Sequence, residues 1–309
     1  MHKVFIDGSA GTTGLKIVSR LSQRKDIELI ILPDELRKDD SARKDALNNC
    51  DVAFLCLPDA ASIQAVSMIE NPLVKVIDTS TAHRTNPLWA YGFPELQGLR
   101  EKIKNSNRIA NPGCHATGFI SLINPLINAN IISKDIKLSC FSITGYTGGG
   151  KGMISEYEGQ EKPLLYNAPR QYGLTQKHKH LPEMISVCGI NSAPIFCPIV
   201  SDFDRGMEVT VPLFASDING TIEDIKQVYK NAYNGKIVKL KENADENGFL
   251  SAQSMRGRDD LEVSVFGNEE RILLVARFDN LGKGASGAAI QNMNVILGVD
   301  ETTGLILGE

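Results

Sequence analysis

Short apolar runs alternate with amphipathic stretches over residues 1–80. The runs predict four strands, at residues 3–7, 28–32, 52–57 and 74–78. The stretches between them predict helices at residues 15–21, 41–49 and 60–70. Residues 52–57 are apolar on both faces, as expected of a central strand in a parallel sheet. Because strand and helix alternate, we expect an α/β fold with a doubly wound parallel sheet of the Rossmann type.

The pattern changes after about residue 115. Residues 207–213 alternate strictly, with Val209, Val211 and Leu213 on one face. Two further strands, at residues 261–266 and 271–278, are separated by a turn that predicts a hairpin. Thr221 resembles a helix cap with acidic residues in the turn behind it. We therefore expect a second α+β domain with a mixed sheet over residues 116–279, and a final helix within 280–309 that returns to the first domain, residues 1–115.

Composition and charge exclude several classes of protein. The net charge of −4 argues against a non-specific nucleic-acid binder, which is usually basic. No apolar run approaches the roughly 20 residues of a membrane-spanning helix. The chain enters its first strand without a signal-peptide pattern, and its six cysteines form no Cys-x-x-Cys pair. We expect a cytoplasmic protein with reduced thiols, no membrane or nucleic-acid partner and no metal.

A glycine-rich turn at residues 8–14 follows the first strand and opens the first helix. Gly8 permits a tight turn, Gly11 lets the backbone approach a pyrophosphate, and Gly14 lets helix and strand pack closely. The helix N-terminus then offers free N–H groups to phosphate. This pattern predicts a dinucleotide site that also includes the polar residues of the turn, Ser9, Thr12 and Thr13.

The residues after the second predicted strand bear on the choice of dinucleotide. An acidic residue there binds the ribose 2′-hydroxyl of NAD, whereas a basic residue accommodates the 2′-phosphate of NADP. Asp34 is compatible with NAD, but Arg37, Lys38 and Arg43 follow it. We expect NADP(H), with Arg37 at the phosphate.

Cys114 is the candidate nucleophile. It follows Pro112 and Gly113 and begins a segment with helical spacing, so it is predicted at a helix N-terminus. The helix dipole there stabilises a thiolate. The other cysteines lack an activating motif: Cys56, Cys140 and Cys197 lie in apolar runs, and Cys50 and Cys188 at the edges of elements.

A thiol nucleophile usually works with a base or a charged partner. Among the five histidines, His180 is favoured, with Glu183 nearby as an orienting group or substrate contact. His178 and His83 remain alternatives. His115 adjoins Cys114, but adjacent helical residues do not face one another.

Residues 145–152 form a second glycine-rich segment, which we interpret as a loop. Its backbone N–H groups, with Gly148 and Gly149 at the centre and Lys151 beside them, could form an anion nest for a substrate phosphate. The spacing differs from that of a Walker A loop.

Together these motifs resemble N-acetyl-gamma-glutamyl-phosphate reductase, in a shorter form. The resemblance rests on residues 8–14, 56–58, 111–114, 145–151 and 178–183 and on the tail 279–289. It implies a homo-oligomer, a dimer or tetramer, that reduces a small acyl phosphate with NADPH in arginine biosynthesis. Aspartate-semialdehyde dehydrogenase is the nearest alternative, and a non-enzymatic NADP-binding sensor is a more distant one.

The resemblance also implies roles for particular residues. Cys114 would accept the acyl group as a thioester, and His180 would be the acid and base. The cofactor would be lined by further residues: Leu57, Pro58, Ser80, Asn280 and Gly282. Asn111 would contact the substrate, and Arg84 or Arg205 would pair with its α-carboxylate. Lys179 stands where the family has arginine, and lysine does not replace arginine as a bidentate clamp.

Overall fold

The computed structural model describes residues 1–308. Its contacts divide the chain into two compact units. The first unit consists of Met1–Pro94, Gly98–Pro112 and Ala285–Leu305. The second begins with Glu95–Gln97, continues with Gly113–Gly284 and takes in the residues from Ile306 onward.

The first unit contains a parallel six-stranded sheet in the order β2-β1-β3-β4-β6-β5. Its strands are β1 (His2–Asp7), β2 (Ile27–Ile30), β3 (Val52–Leu55), β4 (Lys75–Asp78), β5 (Ala90–Tyr91) and β6 (Arg108–Ala110). Its helices are α1 (Thr12–Leu21), α2 (Asp40–Asn48), α3 (Asp59–Ser67), α4 (Leu99–Lys104) and α9 (Gly287–Leu297). The predicted parallel sheet is confirmed, and β5, β6 and α4 extend it.

The core of this sheet explains why the elements form where they do. All four residues of β3 are buried, as its apolar pattern predicts for a central strand. Helix α1 buries Gly14, Ile17 and Leu21, which lie one turn apart on one face. Helix α9 contributes Ile290 and Met293 to the same core as the strands. The final helix is therefore an integral layer of the first unit.

The second unit contains a mixed seven-stranded sheet in the order β11-β12-β13-β10-β7-β9-β8. Its strands are β7 (Ser139–Gly145), β8 (Arg170–Gln171), β9 (Ile195–Ser201), β10 (Met207–Phe214), β11 (Val238–Leu240), β12 (Leu261–Gly267) and β13 (Arg271–Phe278). Its helices are α5 (Cys114–Asn128), α6 (Gly150–Glu158), α7 (Leu181–Cys188) and α8 (Ile222–Ala232). The predicted hairpin of β12 and β13 is confirmed, and Thr221 caps α8 in a capping box with Asp224.

Helix α5 is the centre of the second unit, because its side chains from His115 to Ile127 are all buried. Pro125 within it has no N–H, so the carbonyl of Ser121 lacks its usual helical donor. The hydroxyl of Tyr233 donates to that carbonyl at 2.6 Å, and the hydroxyl of Tyr229 donates to the carbonyl of Leu122 at 2.7 Å. These bonds fix α5, and with it the residue at its N-terminus.

Two findings bear on earlier expectations. The glycine-rich segment 145–152 is not an extended loop, because Tyr146–Gly149 forms a 3₁₀ turn and α6 begins at Gly150. Gly150 has φ of +71°, a conformation that side chains rarely adopt, so glycine allows this tight join. Within the described residues, no helix has the length and apolar character needed to cross a bilayer.

Candidate active site

Cys114 occupies the first position of α5 in the second unit, as the sequence predicts. Gly113 precedes it as the N-cap in an extended conformation. The carbonyl of Gly113 already accepts the N–H and the hydroxyl of Thr117, at 2.8 and 3.1 Å. The half-buried thiol therefore lies where the helix dipole favours a negative charge.

The thiols of four other cysteines are held in their neutral form by burial. Burial raises the pKa of Cys50 and Cys56 to about 12 and also raises the pKa of Cys140 and Cys188. These thiols stay protonated at neutral pH and pack as small apolar groups. This contrast supports Cys114 as the candidate nucleophile.

The N-terminus of α7 lies against that of α5. His180 immediately precedes α7 and is 5% exposed. Glu183, in the first turn of α7, is buried, and its Oε2 accepts the N–H of Gly113 at 3.2 Å. The structure thus joins Glu183 to the residue before Cys114 and places His180 at the same helix end.

His180 belongs to a cluster of aromatic rings centred on His115. The ring of His115 lies 5.5 Å from those of His178 and His180, and the rings of His178 and His180 are 4.8 Å apart. The ring nitrogens of His115 contact Ser142 Oγ at 2.7 Å and Tyr172 Oη at 2.6 Å. Sequence reasoning set His115 aside, although it is buried in the centre of this cluster. The sequence of β7 gave no signal for this contact, because its alternation would place the apolar Phe141 and Ile143 inward in place of Ser142.

Both neighbours of His180 in this cluster are neutral at pH 7. Burial, with smaller contributions from the neighbouring His178 and Lys179, lowers the pKa of His115 to about 3. Burial and Lys179 lower the pKa of His178 to about 4. Two neutral imidazoles therefore pack beside the candidate base without adding charge to it.

The shifted pKa of His115 predicts how stability depends on pH. Its folded-state pKa lies below the ordinary value, so the unfolded chain binds a proton first as pH falls below about 6.5. Stability is present above that pH and is lost at about 1.4 kcal/mol per pH unit between pH 6 and 4. The free energy of unfolding of His115→Gln is measured in urea at pH 6.5, 5.5 and 4.5. It should fall with decreasing pH less steeply than that of the wild type, by about 1.4 kcal/mol per pH unit. His2→Gln, at the N-terminus, is the control, and equal slopes in wild type and His115→Gln would contradict the expectation.

Three of the predicted residues lie close together at the ends of β7, β9 and β13, namely Arg205, Asn280 and Gly148. Asn280 is buried, accepts the N–H of Gly206 at 3.0 Å, and donates to Thr147 Oγ1 at 3.2 Å. Arg205 Nη1 lies 3.6 Å from Asp279 Oδ2. A Cβ placed on Gly148 would lie 3.4 Å from Asn280 Nδ2, at van der Waals contact, so Gly148 adjoins Asn280. At two other predicted residues close packing favours glycine, because a Cβ on Gly149 would meet Met153 and one on Gly282 would meet the carbonyl of Arg258.

The glycine turn of the first unit has the geometry that its sequence predicts. Gly8 has φ of +84°, and a Cβ there would lie 2.3 Å from the carbonyl oxygen of Cys56. A Cβ on Gly14 would lie 2.4 Å from the carbonyl oxygen of Gly8. Gly11 is less crowded, and α1 begins directly after it at Thr12. The tight turn and the close packing of strand on helix are therefore both present.

A cavity of about 580 Å³ adjoins this turn. Gly8, Ser9 and Leu57 line it on one side, and Arg37 and Lys38 on another. Backbone N–H groups, an apolar wall and two cations fit the phosphates, adenine and 2′-phosphate of a dinucleotide.

Arg43 is one of the three basic residues that favour NADP in the sequence, but its charge is already paired. Its side chain is 7% exposed and pairs with Asp7 and Asp40, both at 3.0 Å. Because two carboxylates neutralise it, Arg43 holds α2 against the end of β1 and gives less support to a 2′-phosphate than its place in the basic cluster suggests. Asp34 is also engaged, at 2.6 Å from Arg37 Nη2.

The remaining predicted residues of the first unit lie near the ends of β4 and β6. Ser80 and His83 both contact the buried carboxylate of Asp78, at 2.7 Å each, and His83 stacks on Trp89. Arg84 donates to the carbonyl oxygens of Asn111 and Thr79 at 3.0 Å.

Asn111 and Pro58 complete this group. The side chain of Asn111 donates to the carbonyl of Ala285 and accepts from Asn292, both at 3.1 Å. Pro58 caps α3. Over residues 1–308, no group of three or more potential metal ligands is assembled.

Comparisons with known proteins agree with this architecture. Residues 33–106 match the family model "Semialdehyde dehydrogenase, NAD binding domain", and residues 114–280 match "Semialdehyde dehydrogenase, dimerisation domain". Among solved structures, aspartate semialdehyde dehydrogenase II of Vibrio cholerae has a TM-score of 0.72 at 17% identity, covering 96% of this chain and 98% of its own. The enzyme from Candida albicans, solved with NADP, has a TM-score of 0.64 at 14% identity, with coverage of 96% and 98%. These two likenesses show the shared fold.

Relatives of higher identity define the family. The chain is 45% identical to N-acetyl-gamma-glutamyl-phosphate reductase 2 of Nostoc sp., over 98% of this chain and 99% of the relative. It is also 45% identical to the N-acetyl-gamma-glutamyl-phosphate reductase of Brucella ovis, over 96% and 99% of the two chains. The chain therefore belongs to the N-acetyl-gamma-glutamyl-phosphate reductase family.

Proposed function

We propose that this chain reduces N-acetyl-L-glutamyl 5-phosphate to N-acetyl-L-glutamate 5-semialdehyde and phosphate with NADPH, as a step of arginine biosynthesis. The observation that carries the proposal is the placement of Cys114. In a chain of this family, its thiol stands at the N-terminus of a buried helix, next to the helix end that bears His180 and Glu183.

The chemistry follows from that thiolate. Cys114 Sγ attacks the acyl carbon, forming a carbon–sulfur bond while the bond to the phosphate oxygen breaks and phosphate leaves. A thioester on Cys114 results. NADPH, when bound, supplies the hydride that reduces the thioester carbonyl. The carbon–sulfur bond then breaks, which releases the aldehyde and returns the thiolate.

His180 and Glu183 support these steps in different ways. His180 is proposed to stabilise the thiolate and to hold the proton exchanged as the tetrahedral carbon forms and collapses. Glu183 binds the N–H of Gly113 and so orients the turn that presents Cys114. His178 is the alternative base, and loss of activity in His180→Ala but not in His178→Ala would assign the role.

Contacts to the substrate are proposed for two groups of residues. Gly148, Gly149 and Asn280 lie beside Arg205 in the second unit, whereas Arg84 and Asn111 belong to the first. Arg84 already donates from Nε and Nη2 to backbone carbonyls. Arg205 has looser contacts, at 3.6 Å from two aspartates. The geometry therefore favours Arg205 for the α-carboxylate of the substrate.

NADP(H) is proposed to occupy the cavity beside residues 8–14, with Arg37 at the 2′-phosphate. Leu57 and Pro58 would line the same cofactor, and Ser80, Asn280 and Gly282 are further proposed contacts.

Replacement of Arg37 tests this assignment. Removing one charged contact to phosphate should raise KM for NADPH by about 10-fold or more, with kcat little changed. KM for NADH should stay constant, because NADH has no 2′-phosphate. Lys25→Ala removes an exposed charge of the same sign from the first unit and is the control. An equal rise for both cofactors in Arg37→Ala would argue against the assignment.

The activity itself is tested in reverse. The protein is supplied with N-acetyl-L-glutamate 5-semialdehyde, phosphate and NADP⁺, and NADPH formation is followed. Aspartate semialdehyde, which lacks the acetyl group, is the parallel substrate. Faster turnover of aspartate semialdehyde would replace the proposal by the nearest alternative, and tight NADPH binding without turnover of either would indicate a sensor.

A homo-oligomer is proposed from the second sheet. α5 and α8 pack on one face of the sheet. Phe141, Ile195, Phe214 and Leu273 lie on the opposite face and are 43–62% exposed. An apolar face of this extent usually marks an interface. The family model that matches residues 114–280 describes a dimerisation domain, so a second copy of the chain is the proposed partner. We also propose a cytoplasmic location.

A charge on that face should weaken the oligomer. Leu273→Asp places a carboxylate that must lose its water on association, and this is costly without a partner. Light scattering after gel filtration should show a smaller mass at micromolar concentration. Leu164→Asp, at an exposed leucine outside the strands of the sheet, should keep the wild-type mass. The same mass in Leu273→Asp would move the interface elsewhere.

A further inference from the structure

The segment from Asp279 to Gly284 packs directly on the nucleophile within the second unit. A Cβ placed on Gly284 would lie 3.0 Å from Cys114 Cβ and 3.2 Å from the carbonyl oxygen of Asp279. The backbone at position 284 therefore lies against the base of the Cys114 side chain, and a methyl group added there would press on it.

The neighbouring residue, Lys283, forms a buried ion pair. Its side chain is 2% exposed, and Nζ lies 2.8 Å from both carboxylate oxygens of Glu95, which is itself 7% exposed. A buried ammonium is costly unless it is paired with good geometry. The pair therefore fixes Lys283 to the segment Glu95–Gln97, and it has no function in the mechanism above.

The other end of this segment is anchored as well. The carboxylate of Asp279 is fully buried and accepts the N–H groups of Gly257, Leu281 and Gly282 at 2.6 to 3.2 Å. The N–H of Gly284 donates to the carbonyl of Asp279 at 3.1 Å. Gly282–Ser286, which includes Lys283, forms a π-helical turn, a wide and uncommon turn that is frequent at functional sites.

We propose that the Lys283–Glu95 ion pair is a positioning device for Cys114. By fixing the π-helical turn, it holds the Gly284 backbone against Cys114 Cβ and so keeps Sγ at the N-terminus of α5. Lys283 acts through Gly284 and does not touch the substrate. The kinetic part of this inference rests on the proposed function, whereas its effect on the thiol does not.

The test separates positioning from stability. Lys283→Met combined with Glu95→Leu replaces the ion pair with apolar side chains of similar size, a change that usually preserves folding. The double variant should keep its KM for NADPH and lose about 10- to 100-fold in kcat, the range expected for a displaced reacting group. Alkylation of Cys114 by iodoacetamide is read from the Cys114 peptide by mass spectrometry. It should reach a given rate only at a higher pH than in the wild-type protein. Lys226→Met with Glu223→Leu, at an exposed pair on α8, is the matched control.

Two further variants test the contact at Gly284 and the ion pair separately. Gly284→Ala leaves the ion pair intact but pushes a methyl group onto Cys114, so it should slow alkylation and turnover in the same way. Lys283→Arg keeps the ion pair, so its turnover and its rate of Cys114 alkylation should stay close to those of the wild type. Wild-type kcat and a wild-type alkylation profile in the double variant, or in Gly284→Ala, would overturn the proposal. Alkylation needs no substrate, so this result is distinguishable from a wrong assignment of the reaction.

Discussion

Replacing Cys114 by serine should abolish turnover, with a loss of about 10⁴-fold or more in kcat. A serine hydroxyl at this position is almost fully protonated at neutral pH, whereas the helix N-terminus favours the thiolate. Without the sulfur nucleophile no thioester forms, and the reaction loses the covalent route that divides it into two easier steps. The measurement is the steady-state rate in the reverse assay.

Two observations make this experiment specific to Cys114. The dinucleotide cavity is built from residues of the first unit, so Cys114→Ser should bind NADPH with unchanged affinity in a fluorescence titration. Cys197→Ser changes a half-buried thiol on β9 and should keep near-normal turnover. Near-normal turnover in Cys114→Ser would exclude the thioester mechanism.

Replacing Arg43 by methionine should destabilise the protein by about 3–5 kcal/mol. Asp7 is 4% exposed, and burial already raises its pKa while Arg43 opposes that rise. Removing the guanidinium leaves a buried carboxylate without its ion-pair partner beneath the glycine turn. The free energy of unfolding in urea measures the effect, and NADPH affinity should fall as the turn loses its support.

The partners of this ion pair provide the controls. Arg43→Met combined with Asp7→Leu removes both charges and should recover most of the stability, because apolar replacement of a buried pair is often neutral. Arg37→Met breaks a more exposed pair with Asp34 and should change stability by less than about 1 kcal/mol. A loss below 1 kcal/mol in Arg43→Met would show that the pair contributes little.

The sequence was most informative where a local pattern decides the structure. Alternation at 207–213 predicted β10, and the run at 52–57 predicted a buried β3. The start of α5 at Cys114 followed from the turn formed by Pro112 and Gly113. In each case neighbouring residues alone favour the conformation, so no distant contact had to be known.

Arg43 shows where local reasoning failed and what could have corrected it. As one of three nearby cations it was counted in favour of NADP, and its partner Asp7 is far away in the sequence. Ala46 and Leu47 follow it by three and four residues and are buried, so Arg43 lies on the inner face of α2. That position would have predicted a buried partner in place of a solvent-facing ligand.

His115 and Lys283 could not be assigned in this way. Helix α5 is buried all round, so it offers no polar face from which to judge an inward histidine. The partner of Lys283 is Glu95, in a short segment without regular secondary structure. Both depend on contacts between distant parts of the chain.

The first unit is assembled from three separate stretches of chain, and α9 is a layer of its core. A ribosome releases α9 only after residues 113–284, nearly all of the second unit, have been synthesised. During synthesis, the nascent first unit must therefore wait with part of its apolar surface exposed, a state that favours aggregation and chaperone binding. Any chimera that exchanges the dinucleotide-binding unit between relatives must carry residues 285–305 along with the N-terminal segment.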